Sequence, residues 1–267
     1  MAWVLSVAMT LATALLGALL IWRHAWLPPA ISTIAGPIDR QFAITFIASG
    51  LLFYVTAQAT IAYLAWMRKS RAQPDEIQIR RGNRALLRVW VLVATVITIV
   101  LAVTAYRTGA QVDWAGPAPA ALKIEVWGEQ FEWYFRYPGP DNRFGPVHFD
   151  LMRDSTGNYL GLDPERDPAS RDDIVTATLG IPVNQPIELI LRSKDVIHSF
   201  FVPELRVKED SVPGMEIHIH FTGTRTGRYQ IMCGRLCGLG HYNMHATLVV
   251  MTQHQFEAWL QRMAAEQ

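Results

Sequence analysis

The stretch FAITFIASGLLFYVTAQATIAYLAWM, residues 42–67, decides the fold of the first half of the chain. It contains no charged residue and is longer than the roughly 20 residues that a helix needs to cross the hydrocarbon core of a bilayer. A second stretch, ALLRVWVLVATVITIVLAVTAY, covers residues 85–106, and its Arg88 lies close enough to the end to reach the interface. The sequence therefore predicts two transmembrane helices within residues 42–106.

The loop between these helices sets their orientation. Residues 68–84 are rich in Lys and Arg, with Asp75 and Glu76 as their acidic residues. Positively charged loops stay in the cytoplasm, so residues 107–267 are expected on the extracytoplasmic side. Residues 1–106 carry nine Lys/Arg and three Asp/Glu, whereas residues 107–267 carry fifteen and twenty. The predicted outer domain is therefore acidic.

Residues 1–41 begin with the apolar run MAWVLSVAMTLATALLGALLIW. A signal peptide has a basic region before such a run and small residues after it. Here nothing basic precedes the run, and Arg23 and Trp26 follow it. This pattern favours a third membrane helix, and a signal peptide is the alternative. Both interpretations place residues 23–41 outside.

From about residue 121 the sequence consists of short β segments separated by turn residues. Seven strands are predicted, at residues 121–127, 131–137, 173–181, 186–192, 215–221, 227–233 and 246–251. Many short strands with Gly and Pro turns indicate an antiparallel sandwich or barrel. Residues 138–173, rich in Pro, Gly and Asp, are expected to form a solvated excursion. Thr252 and Gln255 make a capping box that starts a C-terminal helix.

The segment CGRLCGLGHYNM, residues 233–244, holds both cysteines of the chain. A disulfide is the default for paired cysteines outside the cytoplasm, but it leaves the ordered His and Met unexplained. A zinc site uses Cys and His ligands, and Met is a poor zinc ligand. Copper fits better, since thiolate, imidazole and a weak thioether form a soft-ligand electron-transfer site.

A mononuclear blue-copper site needs one Cys, two His and one Met, so this motif has one thiolate too many. Two thiolates, Cys233 and Cys237, can instead bridge two copper ions, with His241 and Met244 supplied by the same loop. A second imidazole must come from elsewhere. His198, in DVIHSFFVPEL, is the favoured candidate, ahead of His218, His220 and His245, which share a polar strand face or break the spacing of the motif.

The chain resembles subunit II of the haem–copper oxidases, in a bacterial branch with an extra N-terminal hydrophobic segment. The resemblance rests on C-x3-C-x3-H-x2-M, on H-x-F-x-V-P upstream, and on the stretches KEDSVPG and GEQFEWYFRYPG. It implies two membrane spans followed by a cupredoxin-type β-sandwich in residues 107–267. It also implies a dinuclear copper (CuA) centre held by six residues: His198, Cys233, the backbone carbonyl of Arg235, Cys237, His241 and Met244.

The family's role, implied here, is to accept electrons from cytochrome c and pass them to haem in subunit I, where oxygen is reduced to water. The expected partners are subunit I, subunit III, a cytochrome c donor and the membrane, with no nucleic acid. The expected location is the bacterial cytoplasmic (inner) membrane, with the C-terminal domain in the periplasm.

Several positions depart from the family pattern or extend it. Arg235 stands where the family usually has a Glu that reaches magnesium, so no magnesium site is predicted. Phe131 stands where an aromatic electron-entry residue, usually Trp, is expected, and Trp133 follows it. Glu209 and Asp210 are expected to belong to an acidic docking surface for a cationic donor.

Two other functions remain open at the level of sequence. One is the CuA subunit of a nitric-oxide reductase related to the oxidases. Two departures from the oxidase pattern suggest it: Arg235 between the cysteines, and Arg84 and Arg88 near the start of the second span, where many family members have Glu. The other is a membrane-tethered copper-binding or assembly protein. The resemblance favours the oxidase subunit.

Overall fold

A computed structural model describes residues 2–23, 27–69, 84–112 and 116–266. The chain forms two compact units. The helical unit comprises Met1–Pro28 and Pro37–Ala110, and the β unit comprises Pro29–Gly36 and Gln111–Gln267. The predicted cytoplasmic loop, residues 68–84, lies almost wholly outside the described residues, so its position stays a prediction.

The helical unit contains three helices: α1 (Ala2–Arg23), α2 (Ala35–Lys69) and α3 (Arg84–Val112). Two segments, Ala35–Ala65 and Ala85–Val112, are long and apolar enough to cross a membrane. Their large apolar side chains are exposed, as Phe53 illustrates at 75%. Such a surface is stable in lipid rather than in water, which agrees with the two predicted spans.

Helix α1 is joined to α2 by polar side chains. Gln58 of α2 accepts a hydrogen bond from the Ser6 hydroxyl and donates one to Thr10 Oγ1 at 3.2 Å. The Thr10 and Tyr54 hydroxyls lie 2.6 Å apart. Polar side chains on apolar helices satisfy one another in this way inside a bilayer. The contacts support α1 as a third membrane helix, although its apolar run, Val4–Leu19, is shorter than the other two.

The β unit is a sandwich of two five-stranded sheets, followed by a helix. The first sheet has the order β3–β2–β1–β5–β8 and the second β4–β10–β9–β6–β7. The strands are β1 (Leu122–Glu129), β2 (Glu132–Tyr137), β3 (Ile174–Thr176), β4 (Thr178–Pro182), β5 (Pro186–Ser193), β6 (His198–Val202), β7 (Val207–Ser211), β8 (Ile217–Thr222), β9 (Gly227–Cys233) and β10 (His245–Met251). The predicted membrane-anchored sandwich is thus confirmed.

Three details of the strand prediction were wrong. Strands β6 and β7, between the strands predicted at 186–192 and 215–221, were not among the seven predicted. The sheets are mixed rather than antiparallel, because β1 pairs with β5, and β10 with β4, in parallel. The single strand predicted at 173–181 is two strands: β3 pairs with β2 in the first sheet, and β4 pairs with β10 in the second. The chain changes sheets between them, which a local apolar pattern does not reveal.

The main core lies between the two sheets and is closed by helix α4 (Gln253–Ala265). Thr252 and Gln255 form the predicted capping box. The apolar face of the helix packs on the core through Phe256, Trp259, Leu260 and Met263. The predicted C-terminal helix is confirmed.

The short segment before α2 belongs to the β unit. Ile31 is fully buried in its core. The Ile31 amide donates to Glu204 O at 3.0 Å, and the Thr224 amide donates to Ile31 O at 2.7 Å. Residues 29–36, which the sequence suggests are part of a linker, therefore complete a core formed by strands far along the chain.

The excursion at 138–173 is not simply solvated. Leu160 is buried against Trp127 and Tyr134 in a second apolar cluster. Below it, the buried Arg136 guanidinium donates to Glu125 at 3.0 Å and to Asp173 at 2.5 Å. Residues of the excursion thus cover the face of the first sheet that points away from the main core.

Candidate metal centre

The cysteine segment forms a loop at one end of the sandwich. Cys233 is the last residue of β9, and its amide donates to Met244 O at 3.1 Å, which closes the loop. The Gly234 amide donates to Ser199 O at 2.8 Å, and His198, the first residue of β6, lies next to that contact. The fold therefore brings the loop to His198, as the sequence predicts.

The two sulfurs lie close together without being bonded. Both cysteines are free and buried, and their Sγ atoms are 3.9 Å apart, whereas a disulfide requires about 2.05 Å. The Cys237 sulfur is 3.6 Å from His241 Nδ1 and 3.7 Å from Met244 Sδ. The Cys233 sulfur is 3.2 Å from the carbonyl oxygen of Arg235. All the loop groups predicted as ligands thus surround the two sulfurs.

A second imidazole, that of His198, lies beside the two sulfurs. It is fully buried, and it forms with Cys233 and Cys237 a group whose ligand atoms all lie within 4.8 Å of one another. Its Nε2 is hydrogen-bonded to Asp195 Oδ1 at 2.8 Å. Its Nδ1 is buried without a hydrogen-bond partner among the described residues. A buried nitrogen left in this way, beside two sulfurs, fits a metal ligand.

Three residues that support the site were missed by sequence reasoning. Asp195 orients His198 and also accepts the Gln130 amide at 2.7 Å. The Gln130 side chain donates to Cys237 O at 2.5 Å. A Cβ at Gly128 would lie 2.8 Å from His198 Cδ2, so glycine leaves room for the imidazole. The only sequence signal was an acid three residues before the histidine.

The site differentiates the two thiols. Burial alone would raise the pKa of Cys233, but the His198 imidazole and the Ser199 and Arg235 main chain stabilise the thiolate and lower the pKa to about 6. Burial, followed by the charge on Cys233, raises the pKa of Cys237 to about 11. The surroundings of the site therefore lower the pKa of one thiol and raise the pKa of the other.

The two predicted electron-entry residues lie beside the site in different environments. The ring of Phe131 is half-buried and lies against the loop, since a Cβ on Gly240 would come within 2.5 Å of it. Trp133 is buried, with its ring edge-on to His198 at 5.9 Å and to Phe200 at 5.8 Å between centroids. Phe131 is thus the one of the two that reaches the surface.

The predicted docking acids lie on strand β7. Glu209 is exposed, and its Oε1 accepts the Asp210 amide at 3.0 Å. Asp210 is ion-paired with the Arg235 guanidinium. One of the two carboxylates is therefore neutralised by the loop. The weaker histidine candidate His218 is bonded instead to Glu188, at 2.9 Å, on the first sheet.

The donor set fits copper better than the alternatives. Two thiolates, two imidazoles, a thioether and a carbonyl are soft or borderline ligands of the kind that copper accepts in β-sandwich proteins. The arrangement argues against a disulfide, because the sulfurs are too far apart, and against structural zinc, because Met244 lies as near to Cys237 as His241 does. Fold and site together define a membrane-anchored, cupredoxin-like electron-transport protein.

Comparison with known proteins gives the family. The model for the periplasmic domain of cytochrome c oxidase subunit II matches residues 122–252. The alternative cytochrome c oxidase subunit 2 of Bradyrhizobium diazoefficiens is 33% identical, over 97% of this chain and 92% of the relative. Subunit 2 of Cereibacter sphaeroides is 27% identical, over 88% and 78%. The chain belongs to the cytochrome c oxidase subunit II family.

A solved structure is also similar to part of the chain. The periplasmic domain of subunit II (CoxB) of Bradyrhizobium japonicum is 25% identical and covers 57% of this chain and 99% of its own, with a TM-score of 0.42. Family membership makes the chain a membrane-anchored subunit of an oxidoreductase complex, with subunit I as its implied partner. Its β unit corresponds to the periplasmic domain of the family, in which copper binding is typical.

Proposed function

We propose that this subunit accepts electrons one at a time from a cytochrome c-type donor and passes them to haem in subunit I, where oxygen is reduced to water. The observation that carries the proposal is that the ligand atoms of His198, Cys233 and Cys237 all lie within 4.8 Å of one another. His241 Nδ1 and Met244 Sδ lie beside the Cys237 sulfur. Membership of the cytochrome c oxidase family favours this function over nitric-oxide reduction or copper assembly.

Six groups would hold a pair of copper ions: the sulfurs of Cys233 and Cys237, the imidazoles of His198 and His241, the Met244 thioether and the Arg235 carbonyl. Bound copper would supply a one-electron carrier. The chain's own contribution is rigidity, because hydrogen bonds to Asp195 and Gln130 hold His198 and Cys237. The Ser199 carbonyl also accepts the amide of Gly234, which lies between the ligand residues in the loop. Ligands that are already held in place need little movement when an electron arrives.

The surface of the loop supports contact with partner proteins. Leu236, Leu239 and Tyr242 are 81%, 98% and 85% exposed. Apolar side chains this exposed beside a metal site are typical of a surface covered by another protein. Phe131, at the edge of this surface, remains the proposed entry residue, with the buried Trp133 behind it. Glu209, which has no ion-pair partner among the described residues, is the proposed docking acid for the donor.

The wider assembly follows from the family and the topology. We infer a complex with subunit I and subunit III, a cytochrome c donor, and a location in the bacterial inner membrane with the β unit in the periplasm. The two candidate spans and the family's periplasmic domain support this arrangement. Helix α1, tied to α2 by Gln58, is proposed as a third span.

The decisive experiment is spectroscopic. The full chain would be purified in detergent, loaded with copper, and examined by visible absorption and electron paramagnetic resonance. We expect a purple protein whose unpaired electron couples equally to two copper nuclei. Cys233→Ser should abolish that signal, whereas His245→Ala, next to the loop but outside the proposed ligand set, should leave it unchanged. A blue spectrum from a single copper, or no copper uptake, would refute the dinuclear proposal.

A further inference from the structure

The residue between the two cysteines makes a contact that the ligand set does not require. The Arg235 guanidinium, in the loop formed by residues 233–244, makes an ion pair with Asp210 on strand β7. The two residues are 25 positions apart, so this contact joins the loop to the edge of the second sheet. Its geometry ties the loop tip to a rigid element.

The main chain of the same residue is part of the site. The Arg235 carbonyl oxygen lies 3.2 Å from the Cys233 sulfur. On one side the backbone is held by the Gly234 amide, which donates to Ser199 O at 2.8 Å. On the other side Leu236 is 81% exposed and provides little restraint. The ion pair of the Arg235 side chain therefore restrains the peptide on the side that packing leaves free.

We propose that Arg235 is a positioning residue that acts through Asp210. This inference rests on the proposed copper function and goes beyond it. The ion pair fixes the carbonyl of Arg235 at the metal site, and the residue between the two cysteines carries a permanent positive charge that the Asp210 carboxylate balances.

The charge and the tether have separable consequences. A positive charge near a redox site disfavours the more positively charged oxidised state, so it raises the reduction potential, and a negative charge lowers it. Removing Arg235 leaves the Asp210 carboxylate unpaired, and removing Asp210 leaves the guanidinium unpaired. The two substitutions therefore shift the potential in opposite directions, whereas loss of a merely structural contact would shift both in the same direction.

The tether itself is a partly exposed ion pair, with 53% and 33% of the two side chains accessible. Such pairs contribute up to about 1 kcal/mol, which converts to roughly a two- to fivefold change in an equilibrium or rate constant. Loss of the pair should thus accelerate copper release by about two- to fivefold, without preventing copper uptake.

The experiment uses the full chain in detergent, loaded with copper, and measures the midpoint potential and the rate of copper loss to a chelator. Arg235→Gln is expected to lower the potential, Asp210→Asn to raise it, and the double variant to return it close to the wild-type value. Arg235→Lys, which keeps the charge, should keep the potential. Arg228→Gln, which removes an exposed charge at the other end of β9, is the matched control.

A second readout does not depend on copper. Trypsin cleavage after Arg235, followed by mass spectrometry, reports whether the guanidinium is held. Asp210→Asn should increase cleavage there at least twofold, while Glu165→Gln, an exposed acid in the excursion, should not. Unchanged cleavage in Asp210→Asn, or potential shifts of the same sign in both single variants, would overturn the inference. Failure of the wild type to bind copper would instead overturn the proposed function.

Discussion

The imidazole of His198 is held in one orientation by residues that are distant in sequence or that bear no metal-binding signature. Asp195 Oδ1 is hydrogen-bonded to its Nε2, so that Nδ1 lies beside the two sulfurs. Gly128 leaves the space that the ring occupies, because a Cβ there would lie 2.8 Å from Cδ2. A histidine ligand depends on such neighbours for its angle and its tautomer.

Gly128→Ala should therefore weaken copper binding while leaving the fold intact. The added methyl group displaces the His198 ring from its position beside the sulfurs, and changes to groups that orient a metal ligand typically cost about 10- to 100-fold in affinity. Copper affinity, measured by competition with a chelator, tests this expectation. Gly109→Ala, whose Cβ would meet no atom within 4 Å, serves as the control. Equal affinities in both variants would contradict the role of Gly128.

The two thiols of the copper-free protein should titrate far apart. The pKa of Cys233 is lowered to about 6 and that of Cys237 raised to about 11, and only the thiolate is alkylated. The rate of Cys233 labelling by iodoacetamide should therefore rise with pH and level off above about pH 7. Labelling of Cys237 should still be rising at pH 10. Mass spectrometry of both peptides across pH 5–11 measures the two profiles.

Substitution separates the causes of these shifts. In Cys233→Ser the negative charge beside Cys237 is gone, so the pKa of Cys237 should fall and its labelling should start at lower pH. Superimposable profiles for the two thiols in the wild type would contradict the difference that the geometry implies.

The sequence was sufficient to predict which groups converge at the site, and insufficient to predict the residues that support them. Cys233, Cys237, His241 and Met244 were predicted from residue types at fixed spacings in one loop, and His198 from the second imidazole that this loop lacks; their role as copper ligands stays a proposal. Asp195, Gln130 and Gly128 act through proximity that only the folded strands create, and each belongs to a residue type common on any surface. The ion pair between Arg235 and Asp210 could not be predicted either, since it joins two elements through residues 25 positions apart.

At the scale of elements, most strands were predictable from the sequence, whereas β6, β7 and the strand pairing were not. Alternating apolar residues predicted β8 correctly, and the segments that flank the cysteine loop were correctly predicted as β9 and β10. The break at Ala177, where the chain leaves one sheet for the other, carries no local signal, because both halves have the same apolar character. Strand β7, which carries Glu209 and Asp210, is a polar edge strand, and such strands lack the apolar alternation that identifies central ones.

The polar contact between α1 and α2 gives a testable prediction for the helical unit. Gln58→Leu removes the hydrogen bonds to Ser6 and Thr10, which should cost about 0.6–2 kcal/mol of helix association. The thermal unfolding temperature of the full chain in detergent should fall by a few degrees. Thr60→Ala, which loses a bond only within α2, is the matched control. An unchanged transition in Gln58→Leu would argue that α1 is not held by this cluster.

At the scale of the whole molecule, the β unit is discontinuous in sequence. Ile31 donates to Glu204, just beyond the end of β6, whereas His198 begins that strand. Residues 29–36 and the metal site therefore lie at opposite ends of β6. The segment between α1 and α2 closes the end of the core that is remote from the proposed copper site, through the buried Ile31 and through Ile34, which packs against the same core. Neither the interruption nor this closure could be read from the sequence, because PPAISTIAG, residues 28–36, is a short segment without the periodicity of a strand or a helix.

Ile31→Ala should destabilise the β unit strongly. Truncating a fully buried isoleucine to alanine costs about 2–5 kcal/mol through lost burial and the cavity left behind. Denaturant unfolding of the full chain, followed by near-ultraviolet circular dichroism of the β-unit tryptophans, measures the change. Leu27→Ala, four residues before Ile31 and 37% exposed, should cost far less. Similar midpoints for the two variants would show that the segment is not part of the core.

The position of Ile31 also matters for how the protein is made. Residues 29–36 leave the ribosome before α2 and α3, and the strands that surround Ile31 leave after them. If only one of the two helices crossed the bilayer, Ile31 and its binding site would end up on opposite sides. A chain threaded with one crossing too few would therefore lack the Ile31 side chain in its β core, together with the stability that its burial contributes.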